Sequence, residues 1–522
     1  MTSPDLASLI RRLATERPDA PALSFQGATY TFADLDRRSD RAAAALVAAG
    51  VADSDRVAFI DKNCVEFFDV IFACSKVNAV FVPLNWRLTP AEMLGILADA
   101  GPRFAFLGPD FGGLLEADTD KVLSDATVIA LHPGDWSGEA PTGYDGWLAP
   151  EGTPVPATSS APDGPYMQLY TSGTTGVPKG VVLGNRTAGK LRGLGEEIGY
   201  TSDSVLLMVL PLFHTSYSIP LAAMAMGART VLHREVDLPA ALADIPAWRV
   251  THAGFVPALL AALNSLSQGT KYDFSSLELI MYGASPISET VLRDSIGVFG
   301  CAFAQLYGLT ESGGTIAILT AEDHDPDGRP ELLRSLGKPL AFVEMRIVDP
   351  ESGTDRPDGE VGELLTRSAQ NMIGYAGRPE DTAGALDAEG WLRTGDLGYR
   401  DGGGYFYLND RLKDMIVSGA ENVYPAEVEN ALMAHPGIAD VAVIGVPSER
   451  WGETVKAIVL PAGGEDVSER EVIDFARGRL THYKCPTSVD FVTDPLPRNP
   501  SGKLLKRIIR EPYWAGQSRR IT

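Results

Sequence analysis

Tyr170-Thr-Ser-Gly-Thr-Thr-Gly-Val-Pro-Lys-Gly180 is the stretch on which the reading of this chain turns. A strand-like run, 166–170, leads into it, and hydroxyl side chains then alternate with two glycines before Pro178 and Lys179. That chemistry suits a polyphosphate. Glycines let backbone N–H groups approach anionic oxygens, hydroxyls donate further bonds, and a lysine supplies a point charge. Thr171, Ser172, Gly173, Thr174, Thr175, Gly176 and Lys179 are therefore candidate phosphate contacts. The stretch is not the G-x-x-x-x-G-K-[ST] loop, because the sixth position from Gly173 is Pro178. A helix N-terminus cradle is thus not expected. A Gly/Ser/Thr run alone is usually a flexible loop; the ordered hydroxyl–glycine–lysine pattern after a strand favours phosphate binding.

Four more segments follow in order: Leu210-Pro-Leu-Phe-His214, Tyr307-Gly-Leu-Thr-Glu-Ser312, Gly390-Trp-Leu-Arg-Thr-Gly-Asp396 and Asp410-Arg-Leu-Lys-Asp-Met-Ile-Val-Ser-Gly419. A fifth, Pro497-Arg-Asn-Pro-Ser-Gly-Lys503, lies near the end. Together with the phosphate stretch they make the chain resemble the adenylate-forming superfamily. That group includes acyl-CoA synthetases, firefly luciferase and peptide-synthetase adenylation domains. One match would be weak; five in order, spread over most of the chain, are specific.

The resemblance implies an α/β fold, with a large N-terminal domain of several subdomains at 1–412 and a small mobile α+β lid at 413–522. Lys413 falls at the hinge. It also implies an ATP-dependent acid–CoA ligase, which makes an acyl-adenylate and pyrophosphate and then passes the acyl group to coenzyme A. Tyr307 would stack on adenine, with Gly283, Ala284 and Ser285 lining the adenine and acyl pockets. Asp396 and Arg411 would hold the ribose. Thr310 and Glu311 would serve the phosphates and Mg²⁺, with Thr175 a second magnesium contact. His214 would position the acyl carboxylate; a carboxylate is already a nucleophile and needs no general base. Lys503 would meet the charge that develops as one anion attacks another. Rotation about Lys413 would then withdraw Lys503 and bring in Gly419, which lets the pantetheine arm pass. Ala420 stands where many relatives carry a second glycine, a departure that bears on the thiol path. Taken singly, most of these residues have plainer readings: Thr310–Glu311 as a helix start, Asp396 as a turn residue, His214 as a packed histidine.

Composition agrees with a soluble globular chain. Its 522 residues are 45% hydrophobic and 22% charged, and exceed what one small core can organise. The net charge of −23 repels nucleic acid, so no nucleic-acid partner is expected. Four scattered cysteines make neither a disulfide framework nor a zinc motif. No stretch reaches a membrane span, since the apolar run 70–84 is broken by Lys76 and Asn78. A cytoplasmic protein is expected, and a homodimer is left open.

Local patterns fill in the frame. Leu6, Leu9, Ile10 and Leu13 predict a first helix, with Ser3 as its cap. Thr31 and Asp34 predict a capped helix ending near Gly50, Arg56–Ile60 a strand, and 66–76 a helix. Residues 133–165, rich in Gly, Pro, Ser, Ala and Asp, read as a surface excursion. The last hundred residues read as helix 425–434, strands 438–446 and 453–460, and helix 469–480.

The acid itself is only coarsely legible. Residues 214–221 lack the carboxylate with which adenylation domains hold an α-amino group, so an amino acid is not expected. Ser216, Tyr217, Phe255 and Gly283, with His214, are the candidate substrate contacts, and their apolar or small character suits a fatty, alicyclic or aryl acid. An acyl-adenylate ligase that loads a carrier protein is the nearest rival, because both acceptors present pantetheine. A non-catalytic AMP- or acyl-binding protein is the rival from another class, with intact Lys179, Thr310, Glu311, Asp396 and Lys503 against it.

Overall fold

The structure, a computed structural model, describes residues 5–132, 136, 141–156, 161–171, 178–267, 272–285, 287–411, 414–418, 421–448, 452–463, 467–498 and 504–514. The fold is α/β, with a large N-terminal domain and a small C-terminal one. Among the described residues the strands form sheets of 13, 8 and 5 strands.

The N-terminal helices form where local chemistry says they should. Thr31 caps the helix Phe32–Ala48, and its reciprocal bonds with Asp34 complete a capping box. Asp5 caps Leu6–Glu16 by accepting from the Ser8 N–H; Ser3 lies outside the described residues. The helix Val65–Lys76 is buried along its whole length, as its nearly continuous apolar sequence requires. Its three charges are compensated. Lys76 donates to Asp36 and Asp40, and Glu66 lies near Arg38. Arg38 also forks onto Asp69, whose carboxyl burial nonetheless raises to about 6.

The 8-stranded sheet is parallel at its centre, where Arg56–Ile60 lies between Val80–Pro83 and Phe104–Leu107. The 13-stranded sheet is parallel from Val205–Met208 through His252–Phe255 and Leu279–Gly283 to Ala302–Leu309, and antiparallel beyond. Within the surface excursion expected over 133–165, the described residues 141–156 include an anchored turn. The helix Tyr144–Trp147 buries Tyr144, whose hydroxyl donates to Asp69 at 3.2 Å. Trp147 stacks on Tyr144 and meets Phe106 edge-on, and the composition of the segment concealed these aromatic anchors.

The two large sheets are joined at polar points. Asp61, after Arg56–Ile60, pairs with Arg234, after Arg229–Leu232, at 2.9 Å. Asp61, Cys64 and His132 cluster closely, but the Arg234 guanidinium already supplies the cation there. Asn63 sits beside them, 3% exposed. Its side-chain amide donates to the carbonyls of Leu210 and His233, each at 3.0 Å, and its carbonyl accepts the Leu212 N–H at 3.0 Å.

The C-terminal unit is α+β, as its sequence predicts. Pro425–Leu432 and Glu469–Arg477 cover one face of a sheet built on the long pair Ile438–Ser448 and Gly452–Pro461. Among the described residues no helix is long and apolar enough to cross a membrane.

Candidate active site

The stretch 170–180 joins two paired strands. Pro165–Thr171 runs antiparallel to Lys179–Gly184, with Thr171 opposite Lys179. No helix follows the loop directly, in keeping with the departure from the G-x-x-x-x-G-K-[ST] pattern. Ser172, Gly173, Thr174, Thr175 and Gly176 lie outside the described residues, as do Lys413, Gly419 and Lys503. The strand Phe406–Arg411 brings Arg411 opposite Asp396 in backbone register.

Asp396 is not in a turn. It lies within the strand Leu392–Arg400, 2% exposed. Gly395 before it adopts a φ of +67°, a left-handed kink that lets a buried strand carry the T-G-D sequence. The Asp396 N–H donates to the Thr394 hydroxyl, and the Tyr307 hydroxyl donates to Asp396 Oδ2 at 2.6 Å. The aromatic of one motif is thereby locked to the carboxylate of another.

Gly283 ends the strand Leu279–Gly283 beside Leu306. A Cβ at Gly283 would stand 2.2 Å from the Leu306 carbonyl oxygen, so only glycine fits there. Ala284 follows at a φ of +68°, a costly conformation for alanine, and Ser285 is half-buried. Strained backbone of this kind gathers where a segment must approach a ligand.

Thr310 and Glu311 do not start a helix. They form the tight turn between Ala302–Leu309 and Gly314–Leu319, closed by Ser312, whose hydroxyl accepts the Leu309 N–H and lies 2.9 and 2.8 Å from the Leu309 and Gly314 carbonyls, to either of which it can donate. The Glu311 carbonyl accepts from the Met372 N–H, and its carboxylate Oε1 accepts the Tyr375 hydroxyl at 3.0 Å. The Tyr375 ring lies 5.0 Å from the Lys179 ammonium. Glu311 and Lys179, 132 positions apart in sequence, are thus linked through one tyrosine. A carboxylate and neighbouring hydroxyls are the hard oxygens Mg²⁺ takes, so Glu311 and Thr310 fit that ion by donor type.

His214 precedes the 3-10 turn Thr215–Tyr217, which continues into the helix Ser218–Ala225. Its ring packs against Phe213 at 4.5 Å, and Trp86 meets Phe213 edge-on. Burial, helped by the Arg87 cation, pushes the imidazole down to about 4, so it is neutral at pH 7. Ser216 donates to the Pro211 carbonyl. Tyr217 is buried, and its hydroxyl bonds that of Tyr166 at 2.6 Å. The Ser218 hydroxyl lies near Gly314, which joins this segment to the Glu311 turn.

The strand His252–Phe255 divides the pocket candidates. Phe255 packs with Leu260 and Tyr282 on one side of the sheet. His252, three residues back and so on the opposite side, lies 4.8 Å from Tyr200, which belongs to the core of the helix Ser218–Ala225. Gly254 shares that face with His252. It is buried, yet nothing lies within 4 Å of where its Cβ would be. A buried glycine with open space above it marks room inside the protein, flanked by Met208 and Met281, its neighbours in register. Gly254, rather than Phe255, faces this space.

Comparison with known proteins is decisive at this point. Residues 10–376 match the AMP-binding enzyme family, and residues 427–503 match the AMP-binding enzyme C-terminal domain. The chain belongs to the AMP-binding enzyme family. It is 39% identical to the fatty acid–[acyl-carrier-protein] ligase ScoC of Streptomyces coeruleorubidus, over 99% of both chains. It is 38% identical to a feruloyl-CoA synthase of an Amycolatopsis species, over 98% of this chain and all of that one. Among solved structures it resembles the o-succinylbenzoate CoA synthetase of Bacillus subtilis in complex with its acyl-adenylate, at 30% identity and a TM-score of 0.84, over 96% and 97% of the two chains. The protein is therefore an adenylate-forming acid–thiol ligase. The AMP-binding match takes in Lys179, His214, Gly283, Tyr307 and Glu311, and the C-terminal match reaches Lys503. Sequence patterns alone missed Tyr375 and Asn63, because neither sits in a chemical motif and each acts on a distant partner.

Proposed function

We propose that this AMP-binding enzyme activates an apolar carboxylic acid (fatty, alicyclic or aryl) with ATP and transfers the acyl group to coenzyme A. The observation that carries the proposal is the convergence on one turn, 309–314, of three groups. These are the Tyr307–Asp396 pair, the Lys179–Tyr375–Glu311 chain and the neutral His214 segment. They supply the contacts that nucleoside, polyphosphate and carboxylate require.

In the first half-reaction a carboxylate oxygen attacks the α-phosphorus of ATP, a P–O bond forms, and pyrophosphate leaves with the electrons of the broken P–O bond. Tyr307 offers a flat face to adenine, and Asp396 accepts from ribose hydroxyls with Arg411 beside it. Lys179, with Thr171 and the loop Ser172–Gly176, grips the polyphosphate. Glu311, with Thr310 and Thr175, would hold Mg²⁺, which when bound neutralises charge on the departing pyrophosphate. His214, neutral at working pH, donates one hydrogen bond that aims the carboxylate. Lys503 meets the charge that grows at the α-phosphate. In the second half-reaction the thiol sulfur attacks the acyl carbon and AMP leaves. Rotation about Lys413 would exchange Lys503 for Gly419 to admit the thiol. The space over Gly254 receives the tail of the acid.

A carrier-protein thiol is the second acceptor reading, favoured by the 39% identity to ScoC. A cytoplasmic setting suits both, and the described cysteines are free thiols. Acid-dependent exchange of labelled pyrophosphate into ATP tests the first half-reaction alone. Exchange with apolar acids and none with amino acids supports the reading, and exchange that ignores the acid would overturn it. Thioester formation on CoA against a phosphopantetheinylated carrier then separates the two acceptors.

A further inference from the structure

Lys179 already has an anionic partner inside the protein. Its ammonium donates to Asp381 Oδ1 at 2.7 Å while lying 5.0 Å from the Tyr375 ring. The fold builds this contact through the backbone. Tyr375 pairs with Val181 in the strand that begins at Lys179, and the Ala376 N–H donates to the Gly180 carbonyl. The Thr382 hydroxyl accepts from the Tyr375 N–H and donates to the Arg378 carbonyl, which fixes the start of the helix Pro379–Ala385. Asp381 is thus delivered to Lys179 by its neighbours rather than by chance of a long side chain. The bond to Lys179 holds its carboxyl below the usual range, so it stays ionised at pH 7. Arg378 stands 3.8 Å from the other carboxylate oxygen and offers a second place for that charge.

We propose that Asp381 competes with the polyphosphate of ATP for Lys179, yielding the lysine as nucleotide binds and shifting toward Arg378. This rests on the assignment of Lys179 to the polyphosphate under the ligase reading. Two anions crowded about one ammonium repel each other, so part of the binding energy of ATP is spent in parting the pair. The same carboxylate gives Lys179 a partner when pyrophosphate departs. Asp381 is a positioning residue here: it sets how tightly Lys179 grips phosphate, and the grip on ATP and on pyrophosphate moves together.

The test is equilibrium binding of ATP and of pyrophosphate, with magnesium, to the full chain and to Asp381→Asn, Asp381→Glu, Lys179→Met and the Asp381→Asn/Lys179→Met pair. Asp381→Asn should tighten both ligands by roughly two- to fivefold, the range expected of a partly exposed ion pair. Asp381→Glu should restore wild-type affinity, and the gain should vanish without Lys179. A residue that merely supports the helix would weaken binding in both backgrounds, and that result overturns the proposal. Equal affinity of Asp381→Asn and wild type overturns it as well, while leaving the ligase reading intact. Failure of the wild type to bind either ligand would overturn the ligase reading and this inference with it.

Discussion

Replacing Asn63 should damage the protein in a defined order, with aspartate worse than alanine. The wild-type amide is saturated by the Leu210 and His233 carbonyls and the Leu212 N–H, all at 3.0 Å and almost out of solvent. Alanine strands these backbone groups. Each buried group left without a partner costs about 1–3 kcal/mol, and partial rehydration brings the sum to about 2–4 kcal/mol. Aspartate keeps the acceptor for Leu212 but turns a carboxylate oxygen toward two carbonyl oxygens. The cost then rises to about 3–5 kcal/mol, as for an uncompensated buried charge. Protonation relieves part of it, because a carboxylic acid can donate one bond. The folded-state pKa of the introduced carboxyl is raised, so the folded form binds more protons than the unfolded form. The excess cost of Asn63→Asp over Asn63→Ala should therefore shrink as pH falls from 7 toward 5. Urea unfolding followed by tryptophan fluorescence measures the order and its pH dependence. Pyrophosphate exchange measures the consequence for His214, which lies two residues beyond the clamped Leu212. Equal effects of the two substitutions at pH 7, or a loss under about 0.5 kcal/mol for alanine, would refute the clamp.

Further outcomes follow from the site. Lys503→Ala should lower adenylation by at least about a hundredfold while sparing thioester formation from pre-made acyl-adenylate, measured with synthetic adenylate; loss of both would contradict the division of roles. Gly254→Val should fill the space on its face of the sheet. It should lower kcat/KM for acids long enough to reach it by about fourfold for each methylene excluded, with short acids unaffected, as a chain-length series would show. His214 and His252 are both pushed down to about 4 by burial. Unfolding frees them to bind protons near 6.5, so their contribution is present above that value and is lost as pH falls toward 4. Thermal melts across that window should therefore show less acid destabilisation in a His252→Phe variant.

Local chemistry made part of this legible in the sequence. The Thr31–Asp34 pair announces a capping box wherever it occurs, and the helix Phe32–Ala48 obeys it. The small C-terminal α+β unit follows from helical and strand periodicities that need no distant information. The chemistry-bearing residues were legible because their types and order match a family, but their environments were not. Asp396 reads as a turn residue because T-G-D favours turns. Only the pairing of its strand with Phe406–Arg411 and the kink at Gly395 place it in a buried sheet. Phe255 and Gly254 are adjacent, and which of them faces the helix Ser218–Ala225 depends on strand register, which a single strand does not encode. The partners of Glu311, Lys179 and Leu212 lie 64, 202 and 149 positions away. Such contacts are set by how the sheets come together, and no local pattern carries them.

The acyl-adenylate is the central intermediate, and the fate of the carboxylate oxygen tests its formation most directly. An apolar acid labelled with oxygen-18 in its carboxylate would be converted to thioester with ATP, magnesium and CoA, and the products examined by mass spectrometry. Attack on the α-phosphorus predicts one labelled oxygen in AMP and none in pyrophosphate. Label in inorganic phosphate with ADP as co-product would mean an acyl-phosphate route and contradict the account.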